Sequence, residues 1–302
     1  MRIVLFLTSE IPTFAANTTQ LAWLSARLKH HALCAVFSEA DFLRELPGAE
    51  AVVVWRFLPE WYARGARLQH VYTPAAGRER IAPDPSGRSM RHFGAFHGRV
   101  MAESLLAMML FMNRRLGHAV RAQQEGRWDP LAYEGLAPLG GQTALLIGYG
   151  AIARHAARLL AALDVRVHGL KRDPTRGTEG AERMFAAEDL QEAITLADHI
   201  ACLLPSDTDS DHLLDESAFA RMKPGAFVYN LGRGNAIDIL ALERALVTER
   251  IAGAFLDVVP REPLPSASPL WTTKNLFITP HASAIRCDYL DLYFAELAGL
   301  LA

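Results

Sequence analysis

Cysteine is scarce in this chain. Cys34, Cys202 and Cys287 are the only three, scattered along 302 residues, too few for a disulfide framework and too far apart for a metal cage. Two of them lie in apolar, strand-like runs, where a small buried thiol is the simplest reading. Long apolar stretches are missing as well. The most apolar helical run, residues 100–112, contains Glu103 and is far too short to span a bilayer. The opening MRIVLFLTSEIP is shorter than a secretory leader with its cleavage site and reads as a first β-strand. Blocks of like charge are absent too. Lys and Arg number 31 against 33 Asp and Glu, for a net charge of -2, so nothing draws nucleic acid or an anionic membrane from a distance. No repeat or low-complexity tract is visible. These absences point to a globular cytoplasmic protein with no metal, nucleic-acid or membrane partner.

What is present suits that class. Hydrophobic residues make up 51% and charged ones 21%, and the length accommodates two domains of ordinary size. Short apolar runs at 2–7, 33–37, 51–55 and 68–72 read as strands, with helices at 19–29 and around 41–45 between them. Such alternation implies a mostly parallel sheet covered on both faces. Residues 75–98, with Pro83, Pro85 and four glycines, break the rhythm and read as a loop region. One long amphipathic helix is expected over 99–123. After a polar stretch at 125–141, a second β/α series begins, with six strands expected at 143–147, 165–170, 199–204, 226–230, 253–258 and 276–279. Six is the number in a complete dinucleotide-binding sheet.

The strongest local signal opens that second series. Gly148-Tyr149-Gly150-Ala151-Ile152-Ala153 fits G-x-G-x-x-G/A between a strand and a helix. Gly148 permits the tight turn, and Gly150 lets the backbone come close to a pyrophosphate. Ala153 stands where helix and strand must pack tightly. The amides of Ala151 and Ile152, at the helix start, would meet the diphosphate. A carboxylate at the end of the next strand would accept from the ribose hydroxyls of NAD(H). Here that strand ends Leu170-Lys171-Arg172. Two cations in that place suit a 2′-phosphate, so NADP(H) is the expected cofactor, with NAD(H) as the alternative.

Reduction of a 2-oxo acid needs a cation for the carboxylate, an acid for the ketone oxygen, and a hydride carbon held close. Three strand ends supply suitable groups. Arg233 lies between Gly232 and Gly234, where packing explains it poorly and a guanidinium fork suits a carboxylate. Asp257 sits in an apolar strand, where a carboxylate needs a donor partner; the nicotinamide end of a cofactor is one candidate. Glu262 lies between prolines that stiffen its loop, and His281 follows the last strand. If Glu262 meets one ring nitrogen, it fixes the tautomer, and the other nitrogen faces the substrate as proton donor.

These segments together, GYGAIA, LLPSDTDS, MKPGAFVYNLGRG, FLDVVPREPLPSASPLW and ITPH, resemble the D-isomer-specific 2-hydroxyacid dehydrogenase family, most of all its glyoxylate/hydroxypyruvate reductase branch. The resemblance runs from about Gly98 to His281. It implies an α/β protein of two doubly wound parallel-sheet domains. A flavodoxin-like substrate domain would take residues 1–98, joined by 283–302, and a Rossmann dinucleotide-binding domain residues 99–282. It further implies that Arg233 binds and polarises the substrate, that His281 is the general acid/base supported by Glu262, and that Leu204, Pro205 and Asp257 lie along the cofactor. The amides of Ala76 and Gly77 would meet the substrate carboxylate, and the side chain of the substrate would face the regions near residues 55–57 and 75–77. A homodimer built through the 99–123 helix and the arm after it is also implied. The chain departs from the family pattern at Ala75-Ala76-Gly77-Arg78-Glu79, usually G-x-G-V-D, at Asp207, commonly Thr, and at Arg286, often Thr. Other readings are a phosphoglycerate-like or formate dehydrogenase of the same family, the latter disfavoured by Glu262 where Gln is usual, or a dinucleotide-sensing binding protein without catalysis.

Overall fold

The computed structural model describes residues 1–205 and 210–302, so Asp207 lies outside the described residues. The chain forms two compact units, Met1–His97 with Ile285–Ala302, and Gly98–Ala284.

In the first unit, β1 (Arg2–Phe6), α1 (Thr18–Arg27), β2 (Ala32–Ala35), α2 (Glu39–Glu45), β3 (Ala51–Val54), β4 (His70–Thr73) and β5 (Met90–Phe93) follow in order. The C-terminal helix Tyr289–Leu301 completes it. All strand pairs are parallel, in the order β2-β1-β3-β4-β5, which is the flavodoxin-like order. Helix starts follow their capping residues. Asn17 and Gln20 close a reciprocal capping box on α1, and Ser38 accepts from the Asp41 amide at the start of α2. One face of the sheet buries Val4, Val52, Val54 and Val71 against Phe42, Phe57 and Trp61. Strand β5 corrects the expectation of a loop throughout 75–98. It is an edge strand whose polar Arg91 and His92 stand between Met90 and Phe93, and therefore carries no apolar run to betray it.

The second unit contains α3 (Gly98–Asn113), α4 (Leu116–Gln124), β6 (Thr143–Ile147), α5 (Ala151–Ala161), β7 (Arg166–Leu170), β8 (Arg183–Phe185), α6 (Leu190–Thr195), β9 (His199–Cys202), α7 (Glu216–Arg221), β10 (Phe227–Asn230), α8 (Ile239–Val247), β11 (Gly253–Leu256) and β12 (Leu276–Ile278). Its parallel sheet runs β12-β11-β10-β9-β6-β7-β8, the dinucleotide-binding order with the chain reversing direction across the sheet at β6. Seven strands stand where six were expected. The extra one, β8, is a three-residue edge strand, too short for periodicity to register. Buried aliphatic residues cover both faces, which is why the strands read as continuous apolar runs.

The expected single helix over 99–123 is two helices. Arg115 breaks it in the left-handed conformation, with φ 49°, and its guanidinium donates to the Ala132 carbonyl. The break thus carries a contact with the following segment, and the left-handed residue itself is neither Gly nor Pro. Cys202 is buried in β9 and Cys34 half-buried in β2, while Cys287 is exposed. Among the described residues, no helix is long and apolar enough to cross a membrane, and no cluster of three His, Cys, Asp or Glu could hold a metal ion.

Candidate active site

The carboxyl ends of β6, β7, β9, β10, β11 and β12 carry nearly all the residues singled out in the second unit. Strand β6 is buried along its whole length and runs into Gly148, whose φ of 90° is a left-handed value that glycine adopts without strain. The amides of Gly148 and Tyr149 both donate to the Leu170 carbonyl, at 2.9 and 3.2 Å, tying the turn to the end of β7. Gly150 then begins the eleven-residue α5 as its N-cap, with no side chain to cap it. A methyl group on Gly150 would meet no protein atom closer than 3.9 Å. Packing does not explain this glycine, whereas close approach of a ligand to the amides of Ala151 and Ile152 does. The turn therefore fits the pyrophosphate of a dinucleotide, and Ala153 is fully buried against the sheet.

At the end of β7, the Lys171 ammonium donates to the Arg176 carbonyl at 2.7 Å, and Arg172 is exposed. The carboxylate of Asp173 is turned into its own loop, accepting from the Thr175 amide at 3.1 Å and hydroxyl at 2.6 Å. These bonds hold its carboxyl below the usual range.

The segment after β9 is wedged between two turns. A Cβ on Gly148 would lie 3.0 Å from the Leu203 carbonyl carbon and from the Leu204 side chain, and one on Gly232 only 2.4 Å from the Leu204 oxygen. Pro205 follows, exposed. The Gly232-Arg233-Gly234 turn is clamped by Asn230, a fully buried side chain that accepts from the Gly232 amide at 3.1 Å and donates to the Arg233 carbonyl at 2.9 Å. Arg233 is half-buried, with Nη1 donating to the Gly232 carbonyl at 2.8 Å. A Cβ on Gly234 would sit 2.1 Å from the Val259 carbonyl carbon. Only glycine lets the Arg233 turn touch the backbone of the loop that leads to Glu262.

That loop and the next are joined by two carboxylates. Glu262 accepts from the Val259 amide through Oε1 at 3.2 Å and meets His281 Nδ1 through Oε2 at 2.8 Å. His281 itself has φ 52°, and its amide donates to the Asp257 carbonyl at 2.8 Å. Asp257 is 1% exposed. Its carboxylate accepts from the Thr279 hydroxyl at 2.6 Å and from the amides of Ala282 and Ser283 at 2.8 and 3.0 Å. The chain itself supplies these three donors, and Asp257 shapes the loop that presents His281.

The structure therefore brings Glu262 and His281 into direct contact and ties the Arg233 turn to the same loop. Ala76 and Gly77 lie in the other unit, in the loop after β4, with Ala76 exposed and Gly77 half-buried. Sequence reasoning missed Asn230 and Thr279. Both are polar residues at strand ends, next to residues already singled out, and a buried polar side chain there must find partners.

Residues 106–283 match the family described as D-isomer specific 2-hydroxyacid dehydrogenase, NAD binding domain. A D-3-phosphoglycerate dehydrogenase of Archaeoglobus fulgidus is 30% identical over 254 residues, spanning 82% of this chain but only 48% of that protein. A glyoxylate/hydroxypyruvate reductase A of Serratia proteamaculans is 30% identical over 246 residues, covering 78% of this chain and 77% of the relative. A solved structure of a D-isomer specific 2-hydroxyacid dehydrogenase family protein from Aeromonas salmonicida superposes with a TM-score of 0.81 at 28% identity, over 99% of this chain and 93% of that one. With the glycine turn, the two parallel sheets and these likenesses together, the chain belongs to the D-isomer specific 2-hydroxyacid dehydrogenases, a family of oxidoreductases.

Proposed function

We propose that this protein reduces a small 2-oxo acid of the glyoxylate or hydroxypyruvate type to its D-2-hydroxy acid with NADP(H) in preference to NAD(H). The observation that carries the reading is the 2.8 Å contact between His281 Nδ1 and Glu262 Oε2. A carboxylate on Nδ1 fixes the proton there and turns Nε2 outward, so that the imidazolium can give its Nε2 proton to a ketone oxygen and the neutral ring can take it back. Arg233 holds the substrate carboxylate through its fork and draws electron density from the adjacent carbonyl. When bound, the nicotinamide supplies the hydride. Gly148, Gly150 and the amides of Ala151 and Ile152 seat the dinucleotide, with Leu204, Pro205 and Asp257 along it. Lys171 and Arg172 favour a 2′-phosphate by charge.

The reading includes a homodimer. Trp128, Leu131, Val120 and Leu116 are 96%, 77%, 50% and 44% exposed on α4 and the segment after it, and an apolar patch of this kind is typical of an interface. Sedimentation should give twice the chain mass, and Trp128→Glu with Leu131→Glu should shift it toward the single chain.

The decisive assay follows NADPH and NADH consumption with a panel of 2-oxo acids, phosphorylated ones included. Turnover of glyoxylate or hydroxypyruvate with NADPH preferred supports the reading. Preference for a phosphorylated acid would favour the phosphoglycerate-like alternative. Tight cofactor binding with no turnover of any acid would point to a sensor.

A further inference from the structure

The loop after β7 gathers positive charge from more than the strand end. Arg154 is the fourth residue of α5, and its amide donates to the Gly150 carbonyl at 3.1 Å, so it springs from the helix end that faces the dinucleotide. Its guanidinium turns toward the β7 loop. A Cβ built on Gly177 would lie 3.1 Å from Arg154 Nη1 and 3.6 Å from Lys171 Nζ, so both cationic heads converge on one point above that turn. Arg154 Nε lies 3.6 Å from the carboxylate of Glu179, which is 68% exposed. A pair so long and so solvated contributes little. Asp173 faces Thr175. Asp173 also lies 3.7 Å from Arg176, so the carboxylates within this loop leave the paired heads of Arg154 and Lys171 weakly compensated.

We propose that Arg154 is a further cofactor-specificity residue, forming with Lys171, across the Gly177 turn, the seat for a phosphate on the 2′-oxygen of an adenosine ribose. The proposal rests on the NADP(H) reading above. Two like charges held this close repel each other, and a phosphate dianion between them relieves the repulsion while accepting from both. The pyrophosphate is already served by the amides at the start of α5, on the open side of Gly150, whereas the Arg154 head lies over Gly177. The planar fork suits a phosphate in two-point contact, which an ammonium cannot offer.

Calorimetric binding of 2′,5′-ADP and 5′-AMP to the full chain tests this without any substrate. Arg154→Ala should weaken 2′,5′-ADP by about 10- to 100-fold while 5′-AMP changes by less than about twofold. Arg154→Lys should recover part of the loss. Glu179→Gln should tighten 2′,5′-ADP and leave 5′-AMP unchanged, because it removes the carboxylate competing for the guanidinium. Equal weakening of both ligands by Arg154→Ala would overturn the assignment, and so would no change in either. A wild-type protein that binds 5′-AMP as tightly as 2′,5′-ADP would overturn the NADP(H) reading and Arg154 with it. Wild-type preference that survives in Arg154→Ala would overturn Arg154 alone.

Discussion

The hydroxyl of Thr279 donates to Asp257 Oδ1 at 2.6 Å, closing the end of β12 onto the end of β11 two residues before His281. With the amides of Ala282 and Ser283 on the same carboxylate, the bond makes the peptide around His281 a fixed bracket. Under the proposed chemistry, this aims the imidazole before any substrate arrives, which is how a positioned acid avoids reorganisation at the moment of proton transfer.

Removing Asp257 should therefore harm stability and turnover together. Asp257→Ala strands a hydroxyl, the part-buried amide of Ala282 and the buried amide of Ser283, so we expect a loss of about 2–4 kcal/mol, read from the urea midpoint at constant slope. Turnover should fall with it, while the affinity of the cofactor is largely kept. An unchanged midpoint would mean that the loop is held by other contacts.

His281→Ala should lower kcat by about 10²- to 10⁴-fold, the usual contribution of a general acid, with cofactor affinity within about twofold of wild type. Stopped-flow hydride transfer at saturating cofactor checks it. A variant that kept most of its rate would dismiss His281 as the proton donor.

Arg233→Ala should raise KM for the 2-oxo acid and lower kcat, since the fork acts on the carboxylate in the ground state and on the polarised carbonyl in the transition state. Arg233→Lys should recover only part, lacking the two-point geometry. A change confined to cofactor KM would contradict the assignment.

Gly234→Ala places a methyl 2.1 Å from the Val259 carbonyl carbon, an overlap that only backbone movement can relieve. We expect a cost at or above the usual overpacking range of about 1–3 kcal/mol, together with loss of the Glu262–His281 register. Differential scanning calorimetry and steady-state rates measure both effects. A wild-type melting temperature would show that the two loops are not in contact.

Acid should destabilise the second unit through His199. This side chain is 1% exposed. Its Nε2 faces Gln142 Oε1 at 2.8 Å and can only donate there, so its Nδ1 accepts from the Tyr229 hydroxyl at 3.0 Å. Burial depresses its pKa from 6.5 to about 4. The native protein thus holds the neutral ring, while the unfolded chain binds a proton below its ordinary value. Stability is complete above about pH 6.5 and is lost as pH falls toward 4, by on the order of 3 kcal/mol. Urea titrations at several pH values should show a steeper acid loss for wild type than for His199→Gln. Identical slopes would remove His199 from the account.

Much of the second unit could be read directly from its residues, because buried parallel strands are continuous apolar runs and β6 sits where Thr143–Ile147 placed it. The glycine turn and the three loops with Arg233, Glu262 and His281 stood out because nothing in packing calls for such residues at strand ends. Two edge strands escaped notice. Met90–Phe93 and Arg183–Phe185 are too polar or too short for their pattern to rise above that of a loop. The break at Arg115 was hidden for another reason, since the contact its side chain makes is with the Ala132 carbonyl, seventeen residues away along the chain. The role of Asp257 was half legible: burial demanded a partner, but only the folded loop reveals that Thr279 and two amides provide it.

The two glycines of the GYG turn answer to different masters. Gly148 is demanded by the protein itself, through its backbone angle and the Leu203 and Leu204 atoms crowding it, whereas Gly150 faces open space. An alanine at the first position would be punished at folding, and one at the second only when a dinucleotide arrived. A descendant of this chain that abandoned nucleotides altogether would be free to lose Gly150 and still bound to keep Gly148, so the second glycine alone records whether the nucleotide is still in use.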